Sequence, residues 1–223
     1  MRSRSNTSTE AEWRNRHDAL FHRPGLSGRT RHGAALAALT AIGDWTDFEW
    51  QATWAIEDRC PLPWLREVAL QNYLFVGYPR AITALQILTR CAGDPEPIRF
   101  WTDPATRREW LPRGRKLCEQ IYGRQFGALL AVMRRTHPEL ADWMIREGYG
   151  KVLARPFLGP RVRELCVLSL LTAQESWAQL RSHISGAVRV GAPRQEIREA
   201  VETGLRMAPN VDKERARRLS GFA

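Results

Sequence analysis

Glu164, Ser176, Gln179 and His183 are the residues whose types and spacing suit proton-transfer chemistry. Ser176, Gln179 and His183 stand at i, i+3 and i+7, which on a helix puts a hydroxyl, an amide and an imidazole on one face. Glu164 sits near the start of the preceding helical stretch. If the two helices pack antiparallel, its carboxylate falls near the imidazole. Four cysteines, Cys60, Cys91, Cys118 and Cys166, stand alone without a C-x-x-C pair or a histidine cluster. That pattern argues against a zinc site and against a disulfide framework, so no metal is expected. Cys166 suits a small buried apolar position.

Three helical pieces must position these groups. Val162–Ala173 is nearly all apolar after Glu164, which suits a buried helix better than a strand. Ser176 and Gln179 spell S-x-x-Q, a predicted capping box at the start of the next helix. That helix is expected to end near Gly191, a common residue type at that place. Pro193, a preferred first helical residue, opens the third piece. Upstream, Lys116–Met133 has the spacing of an amphipathic helix, and Pro138 fits the first turn of another. Trp177 is expected in the core.

Composition narrows the class. Apolar content is ordinary for a globular chain of 223 residues. No apolar run approaches the length of a membrane span, and residues 1–16 lack the apolar centre of a signal peptide. A cytoplasmic protein is the expectation. The net charge is +10, but only three of the 34 basic residues are lysine and the arginines are scattered. Without a clustered basic face or a recognition motif, nucleic acid is not an expected partner.

A shift of 132 positions aligns the chain with itself, without a gap, from Arg29 to Ala69. Arg29 and Arg31 fall on Arg161 and Arg163, Trp45 on Trp177, Pro61 on Pro193, and Arg66-Glu67 on Arg198-Glu199. About eleven identities in 41 positions predict a duplicated helical unit. The expected division is a polar tail over 1–16, a first unit over 17–92, a proline-rich linker over 93–115 and a second unit over 116–223. The positions of Glu164, Ser176, Gln179 and His183 are His32, Asp44, Asp47 and Gln51 in the first copy. Asp44 keeps a capping residue, while the imidazole of the helical face is lost. One unit is thus expected to carry chemistry and the other to be structural.

The ordered set R-V-R-E-L (Arg161–Leu165), Q-L-R-S-H-I-S-G-A (Gln179–Ala187) and G-A-P-R-Q-E-I (Gly191–Ile197) resembles the carboxymuconolactone decarboxylase family. That family includes the alkylhydroperoxidase D proteins. I-Y-G at Ile121–Gly123, H-P-E-L-A-D-W at His137–Trp143 and E-G-Y-G-K-V-L-A-R-P at Glu147–Pro156 extend the resemblance to about half the chain. It implies an all-α fold of two tandem helical carboxymuconolactone-decarboxylase/alkylhydroperoxidase D-like units. It also implies a homo-oligomer, a trimer of fused pairs or a dimer, with pockets between units.

The peroxidase branch carries a Glu, eleven residues, C-x-x-C, three residues and a His. That spacing lands on Glu164, Ser176, Gln179 and His183, so the relay ends are present and both thiols are absent. A serine hydroxyl cannot cycle through sulfenic acid and disulfide. The decarboxylase branch implies a small carboxylated lactone or related acid as substrate and no cofactor. Loss of carbon dioxide leaves enolate-like charge that a donor must stabilise and an acid must protonate. His183 is the expected acid/base and Glu164 its orienting partner. Ser176 and Gln179 share the catalytic face, and Arg163 or Arg181 would hold the substrate carboxylate. Two other readings stand beside this one: a thiol peroxidase resting on Cys166 or Cys118, and a non-catalytic helical oligomerisation or binding module.

Overall fold

A computed structural model describes residues 9–93 and 107–221 of the chain. The first helix opens on a capping box. The Thr9 hydroxyl accepts from the Glu12 N–H, and the Glu12 carboxylate accepts from the Thr9 N–H. Helix α1 therefore spans Glu10–Phe21, and the expected polar tail over 1–16 is corrected from residue 10 onward. The reason is Trp13, a lone large aromatic in a polar stretch, which is completely buried. α2 (Gly28–Ile42), α3 (Trp45–Glu57) and α4 (Leu62–Cys91) follow, with α4 interrupted at Gly77 (φ 77°, ψ 170°).

The second half begins earlier than its composition suggests. α5 covers Arg107–Tyr122, so residues 107–115 of the expected linker are helical, and the rest of that linker after residue 93 lies outside the described residues. The single helix expected over Lys116–Met133 is two. The chain turns at Gly123 (φ 54°) through a short 3-10 segment before α6, Phe126–Thr136. α7 (Pro138–Trp143) starts with proline in its first turn, as expected. A ten-residue π-helical segment, Met144–Leu153, leads to α8 (Pro160–Ala173), α9 (Trp177–Arg189), α10 (Arg194–Met207) and α11 (Lys213–Leu219). The protein is all-α, with no strand among the described residues. No helix among them is long and apolar enough to cross a membrane.

α2 and α8 pack against each other at the centre, α2 also against α3, α4 and α10, and α8 also against α9 and α10. Nearly every residue of both central helices is buried, as befits helices that are apolar all round. Helix starts keep the 132-residue offset: Gly28 and Pro160, Trp45 and Trp177, Leu62 and Arg194.

Crossed ion pairs join the halves. Arg31, fully buried on α2, donates to Glu199 on α10 at 3.0 Å, and Arg23 reaches the same carboxylate at 2.7 Å. In mirror fashion Arg163, buried on α8, donates to Glu67 on α4 at 3.4 Å, and Arg155 joins it at 2.6 Å. Arg31 also donates to the Arg23 carbonyl at 2.9 Å, and Arg163 to the Arg155 carbonyl at 3.1 Å. Buried charges persist only when paired and hydrogen-bonded in this way. Burial alone would push the Glu199 carboxyl up, but Arg23 and Arg31 outweigh it and hold the group below its ordinary range.

Removing one partner strands the other charge in the core. Glu67→Gln should destabilise by about 3–5 kcal/mol, whereas Glu196→Gln, which breaks the more exposed pair with Arg161, should cost at most about 1 kcal/mol. Urea denaturation separates the two. Because the Glu199 pKa is lower folded than unfolded, its contribution is complete above the ordinary carboxyl range and is lost as pH falls through the folded value. Acid titration of Glu199→Gln should therefore show a shallower decline below about pH 4 than wild type.

Candidate functional site

α8 and α9 meet closely enough to join the two residues that spacing singled out. His183 Nδ1 lies 2.8 Å from Glu164 Oε2, and both residues are buried. A carboxylate on Nδ1 fixes the proton there and turns Nε2 toward whatever the other face of the ring meets. That face lines a cleft of about 690 Å³. Gly186 makes the approach possible, since a Cβ there would meet Ile121 Cγ2 at 2.7 Å and Glu164 Oε2 at 3.1 Å.

The cleft's other walls come from α4, α5, α6, α7 and the π-helical segment. Phe75 stands edge-on to the imidazole with ring centroids 5.7 Å apart, and Leu129, Val132, Met133, Trp143 and Met144 add apolar surface. Tyr122 and Tyr149 supply hydroxyls, with Tyr149 donating to Tyr122 at 3.1 Å. These two tyrosines are brought together by backbone-to-backbone packing of α5 on the π-helical segment. A Cβ on Gly114 would fall 2.0 Å from the Ile145 carbonyl oxygen, and one on Gly150 2.0 Å from the Trp110 carbonyl oxygen. Arg113 bridges the same elements by donating to the Gly150 carbonyl. Burial pushes both phenols above their ordinary range, so they stay neutral donors.

Of the residues picked out by pattern, Glu164, His183 and Gln179 come together at the cleft, Gln179 as an exposed wall residue. Ser176 does not line it and caps nothing with its side chain, which corrects the expected capping box. The backbone satisfies that turn itself: Glu175 adopts φ 56° and its carbonyl accepts from the Trp177 N–H at 2.8 Å. Trp177 is half-buried under the Arg215 guanidinium and not fully in the core. Arg163 is taken out of the cleft by its structural bonds to Glu67, Gln71 and the Leu158 carbonyl. Arg181 is exposed and does not line the cleft. The described lining contains no lysine or arginine, so no guanidinium fork awaits a carboxylate there. Tyr122, Tyr149 and Ser182 escaped the pattern because the tyrosines belong to elements far from the motif. Ser182 is adjacent to His183, and that adjacency was the available signal.

The first half departs from this arrangement at matching positions. His32 stands where α8 has Glu164, and its Nδ1 lies 2.6 Å from Gln51, which stands where α9 has His183. An imidazole is therefore present after all, on the partner helix. Its Nε2 is 2.8 Å from Asp58, Phe21 and Trp54 rings cover it, and burial lowers its pKa. A hollow of about 430 Å³, its walls including His17, Asp44, Asp47 and Arg206, is lined by neither His32 nor Gln51.

The sequence pattern of the carboxymuconolactone decarboxylase family matches residues 138–217. The chain is 29% identical over 147 residues to peroxisomal protein 2 of Schizosaccharomyces pombe, covering 66% of this chain and 69% of that protein. It is 30% identical over 105 residues to a nitrosuccinic acid decarboxylase of Metarhizium robertsii, covering 45% of this chain and 71% of that protein.

Burial pushes the thiols of Cys118 and Cys166 up to about 12. Neither should react with iodoacetamide at pH 8 in the native protein, and both should label once guanidinium unfolds it; mass mapping of the adducts checks this. Gly186→Ala should force Glu164 or Ile121 aside and cost about 1–3 kcal/mol, read as a lowered midpoint in urea.

Proposed function

We propose, since this chain belongs to the carboxymuconolactone decarboxylase family, that its cleft beside His183 releases carbon dioxide from a small carboxylated acid or lactone. The observation that carries the reading is the buried Glu164–His183 pair at 2.8 Å on the wall of a largely apolar cleft. Without a cofactor, the electron pair of the breaking carbon–carbon bond needs a carbonyl or nitro group conjugated with the carbon that held the carboxylate. The bond breaks, carbon dioxide leaves, and the pair delocalises onto that group's oxygen. His183, with its Nδ1–H held by Glu164 and a second proton on Nε2, then gives the Nε2 proton to the carbon and regains one from solvent. A scissile carboxylate set among Phe75, Met144 and Leu153 is poorly solvated, and its charge is dispersed as carbon dioxide departs.

Similarity to a protein named for nitrosuccinic acid decarboxylation makes nitrosuccinate the first compound to try. The duplication read from the 132-residue offset is supported by the matching helix starts and the crossed Arg–Glu pairs. On that reading the first half is a structural counterpart that braces the working half. A thiol peroxidase finds no support: Ser176 and Gln179 occupy the places of the paired thiols, and Cys118 and Cys166 are held protonated by burial.

Carbon dioxide release should be measured on nitrosuccinate and a panel of small carboxylated lactones and keto acids. With the compound that turns over, His183→Ala should lower kcat about 10²–10⁴-fold, and Glu164→Gln should lower it with the fold intact. A wild-type protein inactive on the whole panel, or a His183→Ala variant as fast as wild type, would count against the reading.

A further inference from the structure

The cleft needs a group to receive the charge that leaves with the broken bond, and no lysine or arginine among the described residues lines it for that task. It offers a directed row of hydroxyls. Tyr149 lies deepest, with the Cys118 thiol beside it, and gives its proton to Tyr122 at 3.1 Å. Ser182, one residue before His183 on α9, lines the same cleft. Tyr122 accepts the bond from Tyr149, so its own proton is not spent there, and it stands on the cleft wall with Ser182 and His183.

We infer that the Tyr122 hydroxyl, held from behind by Tyr149 and flanked by Ser182, is the donor that takes up the oxyanion formed during decarboxylation. This assignment rests on the decarboxylase reading above. Tyr122 keeps its proton throughout: its O–H bond to the carbonyl or nitro oxygen tightens as the carbon–carbon pair moves onto that oxygen, and His183 supplies the proton to carbon. Neutral donors fixed in advance in an apolar cleft favour the charge-dispersed state over the compact carboxylate of the substrate. The substrate class follows as acids whose carboxylate-bearing carbon is conjugated with a carbonyl or nitro oxygen. Tyr149 is then a positioning residue, because it acts through Tyr122.

The test uses nitrosuccinate and, as an unreactive probe, 3-nitropropanoate, whose nitronate form is distinguished from the nitro form by its stronger ultraviolet band. Wild type should favour the bound nitronate and lower the pH at which it forms. Tyr122→Phe should abolish that shift and reduce kcat about 10²–10³-fold with KM little changed. Tyr149→Phe should reduce kcat about tenfold, the worth of one neutral hydrogen bond, with KM little changed and the nitronate shift weakened. If wild type decarboxylates and Tyr122→Phe matches its kcat and its nitronate shift, the donor assignment is overturned while the decarboxylase reading stands. If wild type releases no carbon dioxide yet stabilises the nitronate through Tyr122, the donor stands and the reaction is overturned. If wild type does neither, both fall.

Discussion

The crossed Arg–Glu pairs are the constraint on which the rest of this structure depends. A guanidinium as deeply buried as Arg31 or Arg163 is tolerable only where a carboxylate and further hydrogen-bond acceptors meet it. The carboxylates sit on α10 for Arg31 and on α4 for Arg163, each in the opposite half of the chain. Neither half can satisfy its own central arginine alone. The two apolar helices α2 and α8 are therefore held face to face, and their register is set by charges that have one way to be paired. α9 packs against α8, so the place of His183 relative to Glu164 follows from that fixed centre.

A second constraint turns a packed helical body into one with a cleft. α5 lies on the π-helical segment with backbone against backbone, at Gly114 and Gly150. The wider turn of that segment, a feature that recurs at functional sites, brings Glu147, Gly148 and Tyr149 to the cleft wall. The offset places Met144–Leu153 opposite α1, and even the i,i+4 pair is kept: Arg14 with Glu10, Arg146 with Asp142. In the first half, however, α1 is an ordinary α-helix whose Trp13 fills the core.

The polar pairs of the two halves differ by one exchange of residue types across the same helix contact. Exchanging carboxylate–imidazole for imidazole–amide keeps a hydrogen bond across the same helix contact, 2.8 Å in one case and 2.6 Å in the other. An amide neither gives nor takes a proton at neutral pH, so Gln51 leaves its half with packing but no acid or base. His32, between Gln51 and Asp58 and covered by Phe21 and Trp54, has both nitrogens committed.

Helix content, the approximate starts of the last three large helices, the 132-residue offset and the Glu164–His183 partnership were all legible in the sequence. Each rests on short-range periodicity or on residue types at fixed spacing, which the chain carries locally. Tertiary structure decided what local pattern cannot express. Ser176 has a capping residue's identity, but a turn through Glu175 satisfies the backbone without its hydroxyl. Arg163 has the chemistry to bind a carboxylate, but burial against Glu67 commits it to the core. Tyr122 and Tyr149 lie 27 residues apart on different elements, and only the glycine-mediated contact of α5 with the π-helical segment makes neighbours of them. The sequence by itself determined which groups can move protons; the fold decided which of them face the cleft, because that depends on long-range packing and on which buried charges must be paired.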